Sequence, residues 1–209
     1  MRIEIGSDFT PSKIVCVGRN YVDHAAELGN TVPTEPLLFL KAPSALVPAE
    51  DPVVLPSISS QVEHEAELAV IIGRRCKEIQ DSEDVLDFVK GYTCLNDITA
   101  RDLQRKDGQF TRAKSFDTFC PIGPHIETDL DVSDLLVTCR VNGEQRQSGR
   151  TSQMVFSVEY LIRYISKMMT LFPGDIIATG TPAGVSKLEP GDVCEVEIEG
   201  IGILRNPVS

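Results

Sequence analysis

Val62-Glu63-His64-Glu65-Ala66-Glu67-Leu68-Ala69-Val70-Ile71-Ile72 is the stretch whose reading decides the fold. Its second half is continuously apolar, the pattern of a strand running into a core, and Gly73 closes it. The first half alternates. In an extended chain Glu63, Glu65 and Glu67 share one face, because successive strand side chains point to opposite sides. Three carboxylates on one face repel one another unless a cation or a basic cluster lies among them. Carboxylates beside a core-entering strand are also costly unless neutralised. Carboxylate oxygens without cysteine suit a hard cation, Mg²⁺, Mn²⁺ or Ca²⁺, better than zinc. A solvated acidic edge strand would satisfy the same pattern. His64 points away from the glutamates and reads as a packed or surface histidine.

Outward from this segment, short β-type runs dominate: Lys13–Val17, Leu37–Leu40, Val53–Leu55, Tyr92–Asn96, Val137–Val141, Ile176–Thr179 and Val193–Ile198. Helical patterns are fewer. Asp81 or Ser82 is placed to cap Glu83–Val89, Thr99 to cap Ala100–Lys106, and Ser157 to cap Val158–Met168, where Val158, Leu161, Ile162 and Ile165 share a face. Tyr21–Glu35 reads as a short helix and a loop. Pro173–Asp175 and Pro190–Asp192 are turns feeding strands. Strands do not alternate with long helices, so the expectation is α+β with a mixed sheet rather than a doubly wound parallel sheet. Asn96-Asp97 ends one strand just before a helix start, and a carboxylate there aims into a cleft or caps the helix.

The 209 residues are enough for one sizeable core, and the expected organisation is a single catalytic domain over 1–209. With 42% hydrophobic and 24% charged residues the chain is globular in composition. A formal net charge of −11 argues against nucleic acid and anionic membrane surfaces, while leaving room for a local basic pocket and a small anionic substrate. No apolar run approaches the length of a transmembrane helix, and Met1-Arg2-Ile3-Glu4 lacks signal-peptide character. The six cysteines form no C-x-x-C pair, which suggests reduced, mostly buried thiols in a cytoplasmic protein.

Several segments, in order, resemble the fumarylacetoacetate hydrolase family. They are Gly18-Arg19-Asn20-Tyr21-Val22-Asp23-His24, Leu38-Phe39-Leu40-Lys41-Ala42-Pro43-Ser44, His64-Glu65-Ala66-Glu67-Leu68, Asn96-Asp97-Ile98-Thr99-Ala100-Arg101-Asp102, Lys114-Ser115-Phe116-Asp117-Thr118-Phe119 and Thr179-Gly180-Thr181-Pro182-Ala183-Gly184-Val185. The resemblance implies a mixed-sheet β-roll with few short helices, a homodimer, and Mg²⁺ or a similar ion on Glu65, Glu67 and Asp97. The short branch it resembles includes acylpyruvate hydrolases and oxaloacetate decarboxylases. That likeness implies a catalytic dyad of His24 and Glu27, with Lys114 supporting developing negative charge and Thr181 binding a substrate carboxylate. Arg19, Lys41, Arg101 and Gln104 are further substrate-binding candidates.

The implied reaction is metal-dependent cleavage of a carbon–carbon bond in a small keto acid, by acylpyruvate hydrolysis or oxaloacetate decarboxylation, through a stabilised enolate. An isomerase or decarboxylase of unsaturated dicarboxylates from aromatic catabolism is the enzymatic alternative. A non-catalytic binder of metal or keto acid is the alternative from another class.

Overall fold

The computed structural model describes residues 1–5 and 9–209. Its main sheet has eight strands: β1 (Arg2–Glu4), β2 (Ile14–Gly18), β3 (Leu37–Lys41), β4 (Leu46–Pro48), β6 (Ala66–Ile72), β7 (Val89–Asn96), β9 (Cys120–Glu127) and β12 (Ile176–Ala178). The order is β1-β9-β7-β6-β12-β2-β3, with β4 pairing beside β9. A four-stranded sheet runs β11 (Glu144–Arg150), β10 (Leu136–Val141), β13 (Val193–Ile198), β14 (Gly202–Pro207). A two-stranded ribbon joins β5 (Val62–Glu63) to β8 (Thr99–Ala100). The pairs β2·β12 and β4·β9 are parallel and the others antiparallel, so the sheet is mixed, as the α+β expectation requires. Four short α-helices complete the described residues: α1 (Val22–Glu27), α2 (Arg101–Asp107), α3 (Thr111–Lys114) and α4 (Val158–Met168). None is long and apolar enough to cross a membrane.

The core lies between the two large sheets. Every residue of β6 is buried, as its apolar run demands, and Val137, Cys139, Val196 and Leu204 face it from the second sheet. α4 begins where its cap was expected: Ser157 Oγ accepts from the Tyr160 amide at 3.3 Å, and Val158, Leu161, Ile162 and Ile165 are buried. Each such aliphatic side chain contributes about 1.5–3 kcal/mol by leaving water, which outweighs the weak intrinsic stability of an isolated helix of this length. All six cysteines are buried and unbridged.

Four local expectations are corrected. The acidic strand is not continuous: the backbone leaves the ribbon after Glu63 and enters the sheet at Ala66, because β5 pairs with β8 whereas β6 pairs with β7. Glu83–Val89 is only a 3₁₀ turn over Val85–Phe88, capped by Asp84; it buries Val85 and Phe88, a spacing of three that suits the tighter helix, and Val89 already belongs to β7. Thr99 does not cap α2; it lies in β8 and its Oγ1 donates to the Asp97 carbonyl at 2.9 Å. Val53–Leu55, bounded by Pro52 and Pro56, is reduced to a bridge between Val53 and Val208.

Candidate active site

The register of β6 against β7 builds the site. Ala66 pairs with Asn96, so Glu65 and Asp97, one residue beyond on each strand, meet at the strand ends. Asn96 locks the join, accepting the Glu65 amide on Oδ1 at 2.9 Å, while the Asp97 amide donates to the Glu65 carbonyl at 2.8 Å. Beyond β12 the chain runs on beside β6. The Gly180 amide therefore reaches Glu67 Oε2 at 2.7 Å, and Thr181 Oγ1 donates to the Ala66 carbonyl at 2.9 Å. One ligand oxygen each from Glu65, Glu67 and Asp97 lies within 4.8 Å of the others, and all three residues are buried.

Charge is unevenly balanced there. Arg101 donates to Glu63 at 2.8 Å and to Glu65 at 2.5 Å. Lys114 bridges Glu65 at 2.7 Å and Asp97 at 2.5 Å, and Lys41 bonds the second Asp97 oxygen at 2.5 Å. Among the described residues the cluster thus holds four carboxylates against three cationic side chains. Glu67 is the acid left without a cation. Burial opposes ionisation of Glu65, but Lys114 and Arg101 beside it more than offset that and hold its carboxyl well below the usual carboxylate range. Burial, then the charges of Asp97 and Glu65, push Glu67 well above that range. Burial works against the Lys114 ammonium, yet Asp97 and Glu65 raise its pKa. A buried carboxylate without a partner is unfavourable by several kcal/mol. A hard divalent cation would supply the missing charge, and an all-oxygen donor set is what Mg²⁺ or Mn²⁺ prefers. The residues present therefore fit such an ion.

The cluster forms the floor of a cavity of about 570 Å³. Of the residues singled out from sequence, Arg19, His24, Arg101, Gln104, Lys114 and Thr181 line it with the three acids. Two do not. Lys41 is buried, bonded to Asp97 and to the Ile98 carbonyl, and so is set back from the cavity. Glu27 stands behind His24: its Oε2 lies 3.3 Å from His24 Nδ1, and its carboxylate accepts the Gly184 amide at 3.0 Å. That amide reaches Glu27 because Gly184, with φ of 103°, packs where a Cβ would lie 2.0 Å from the Arg146 carbonyl oxygen. Arg19 takes a left-handed φ of 59°. Among the basic side chains of the described lining it is the one with no hydrogen bond within the chain, since Arg101, Arg105 and Lys114 are all engaged.

Sequence reasoning missed the cavity's apolar wall, Phe39 and Phe110, whose rings meet edge to face at 5.3 Å. It also missed Gln147, which accepts from the Ala66 amide and donates to Thr181 Oγ1 at 2.7 Å. Gln147 lies in β11, Glu-Gln-Arg-Gln-Ser-Gly-Arg, a strand with no apolar alternation to betray it. His64 is packed as expected, between Gln147 and Ser186, and takes no part in the acid cluster.

Residues 13–209 match the family described as Fumarylacetoacetate (FAA) hydrolase C-terminal. The chain belongs to this family, whose named members are enzymes acting on small organic acids and which generally binds a divalent metal. An uncharacterised protein of Methanocaldococcus jannaschii is 56% identical over 201 residues, spanning 96% of this chain and 84% of that one. The human mitochondrial oxaloacetate tautomerase is 47% identical over 210 residues, spanning 95% of this chain and 67% of its own. A crystal structure of 5-carboxymethyl-2-hydroxymuconate delta-isomerase from Mycobacterium smegmatis superposes with a TM-score of 0.89 at 48% identity, covering 95% of this chain and 79% of that one.

Proposed function

We propose that this protein moves a proton on a small 2-oxo dicarboxylate, interconverting the keto and enol forms of a substrate of the oxaloacetate type, with a divalent cation held by Glu65, Glu67 and Asp97. The observation that carries this is that one cavity holds both the acid cluster and a histidine backed by a carboxylate. When bound, Mg²⁺ or a similar ion would act as a Lewis acid towards the 2-oxo group and stabilise enolate charge. The chain's own residues do the rest. Glu27 accepts Nδ1–H of His24, which leaves the Nε2 lone pair as the base. His24 then takes a proton from the carbon beside the ketone, and the same proton is returned to oxygen, or the reverse. Arg19 is free to pair with a substrate carboxylate, and Thr181 offers a hydroxyl oxygen at the cavity wall. Phe39 and Phe110 keep water from one side of the reacting carbon.

The relatives' names favour proton transfer, which moves isomerisation ahead of the carbon–carbon cleavage that the sequence resemblance put first. Cleavage of an acylpyruvate is the second reading. The same His24–Glu27 pair favours it, since a base that takes a carbon-bound proton also activates water. Assembly as a homodimer belongs to the same proposal.

Ultraviolet absorbance of enol-oxaloacetate, followed beside pyruvate release from oxaloacetate and from a panel of acylpyruvates, separates these readings. The expected outcome is Mg²⁺-dependent keto–enol equilibration that falls roughly 10²-fold in Glu27→Gln, with pyruvate release near background. Faster pyruvate release than equilibration would assign cleavage instead. No catalysis of any of them would leave a binding protein.

A further inference from the structure

Two arginines of the cavity have no acid to neutralise them. In its described lining Arg101 and Lys114 are ion-paired with Glu63, Glu65 and Asp97, whereas Arg19 and Arg105 make no ion pair. The chain carries 31 acidic residues against 20 basic ones, so acids to pair with are abundant. Arg112 on α3 shows the usual outcome: its guanidinium grips Asp107 through Nε at 2.8 Å and Nη2 at 2.5 Å.

The helix α2 places Arg105. Arg101, Gln104 and Arg105 lie three and four positions apart, hence on one face, and all three line the cavity. Burial falls along that face: Arg101 is buried among the acids, Gln104 is half-buried and Arg105 is exposed. Four residues of helix rise about 6 Å, so Arg105 stands one turn outward from the arginine that bonds Glu65. Its Nη1 donates to Gln61 Oε1 at 3.1 Å, and Gln61 is held in that orientation because its Nε2 donates to Glu63 Oε1 at 2.6 Å. The acceptor is neutral and takes one of the five guanidinium N–H donors, so the tether orders the side chain without cancelling its charge. Arg19 follows the last residue of β2 in a left-handed conformation that is uncommon outside Gly, Asn and Asp. Leu37, Phe39 and Phe110 line the same cavity and give it an apolar stretch suited to a carbon chain.

We propose that Arg19 and Arg105 form a second anion subsite, which takes the carboxylate at the far end of a dicarboxylate substrate, and that Arg105 thereby selects dicarboxylates over 2-oxo acids with one carboxylate. Guanidinium forks match the two oxygens of a carboxylate. The inference rests on the reading above only in placing the 2-oxo end of the substrate at Glu65, Glu67 and Asp97.

The test is calorimetric titration of the Mg²⁺-loaded full chain with two matched pairs of acids, 2-oxoglutarate against 2-oxopentanoate and 2-oxoadipate against 2-oxohexanoate. The members of each pair differ in ending on a carboxylate or on a methyl group. The parent should bind at least one dicarboxylate about tenfold more tightly than its matched monocarboxylate, the scale of a charged hydrogen bond at a partly solvated site. In Arg105→Gln that ratio should fall to within about twofold, with monocarboxylate affinity and melting temperature unchanged. A ratio retained in the variant overturns the inference, and so does a parent that shows no preference or takes up none of the four acids. Equal loss for both members of a pair also overturns it, since Arg105 would then shape the cavity without reading the carboxylate. A preference that disappears in the variant, in a protein that catalyses no keto–enol exchange, would uphold the subsite and remove the proposed activity.

Discussion

Asp175 and Glu67 are both carboxylates shielded from solvent, and the chain treats them in opposite ways. Asp175 ends the Pro173–Asp175 turn and accepts from the amides of Ser12, Lys13 and Phe172, from Ser12 Oγ at 2.6 Å and from Lys13 Nζ at 2.5 Å. Glu67, on β6, accepts one amide and makes no ion pair among the described residues. Burial opposes ionisation of Asp175 too, yet its hydrogen bonds to Lys13, Ser12 and the Phe172 amide pull its pKa below the ordinary value, while Glu67 is pushed the other way. A fully partnered buried acid ties segments together: Asp175 joins the chain before β2 to the start of β12, which pair in parallel. An acid with open valence instead marks a place built for something else. Burial alone therefore does not tell these acids apart: within the cluster Glu65 and Asp97 are paired with cationic side chains, and Glu67 is the one whose bonding is left open.

The largest effect that tests this contrast is expected for Glu67→Gln. It replaces an acid whose ionisation is opposed by burial and by Asp97 and Glu65 with a neutral amide that can still accept the Gly180 amide, so the metal-free protein should melt at or above the parent temperature. Metal-dependent turnover should fall about 10³-fold, the equivalent of several kcal/mol of lost charge stabilisation. Melting curves and steady-state rates on the same preparation decide it; a variant that melts lower and still turns over would reverse the contrast.

Asp175→Asn should do the converse. One oxygen becomes a donor, facing either Lys13 Nζ and the Phe172 amide or the amides of Ser12 and Lys13, and folding stability should drop by about 2 kcal/mol, towards the low end for a buried pair because Lys13 is partly exposed. Mg²⁺ affinity should stay within a factor of about two, since a roughly 0.4 kcal/mol change is ordinary for a distant site. Urea denaturation and calorimetry measure the two quantities.

The smallest effect is a pH dependence. The folded pKa of Asp175 is depressed, so its contribution is fully present above the ordinary aspartate value of about 3.9 and is lost as pH falls through the depressed folded value. The stability gap between the parent and Asp175→Asn should therefore narrow below about pH 4 and stay constant from about pH 5 to 7. A gap that widens in acid would mean that the folded pKa is raised.

How much of this was legible in advance depended on distance along the chain. α4 and its Ser157 cap, β13, the Pro-Gly-Asp turns and the apolar half of β6 follow from residues a few positions apart, and they stand where expected. The trio Glu65, Glu67 and Asp97 was visible through motif resemblance and is brought together by the β6·β7 register. The break after Glu63 was not legible, because it depends on which strand each half pairs with. Nor was the placement of Lys41, whose family segment suggested a substrate contact but which bonds an acid 56 residues away.

The amino-acid sequence by itself determined the strand-rich class, the family and the residues able to bind a hard cation, because alternation, turn chemistry and motif order are local properties of the chain. Only the tertiary structure decided which acids are neutralised and which is left open. Arg101 and Glu63 are 38 residues apart, and Glu27 and Gly184 are 157 apart. A charge balance of that kind exists only once the strands are in register, since a hydrogen bond requires its partners within about 3 Å whatever their separation in sequence.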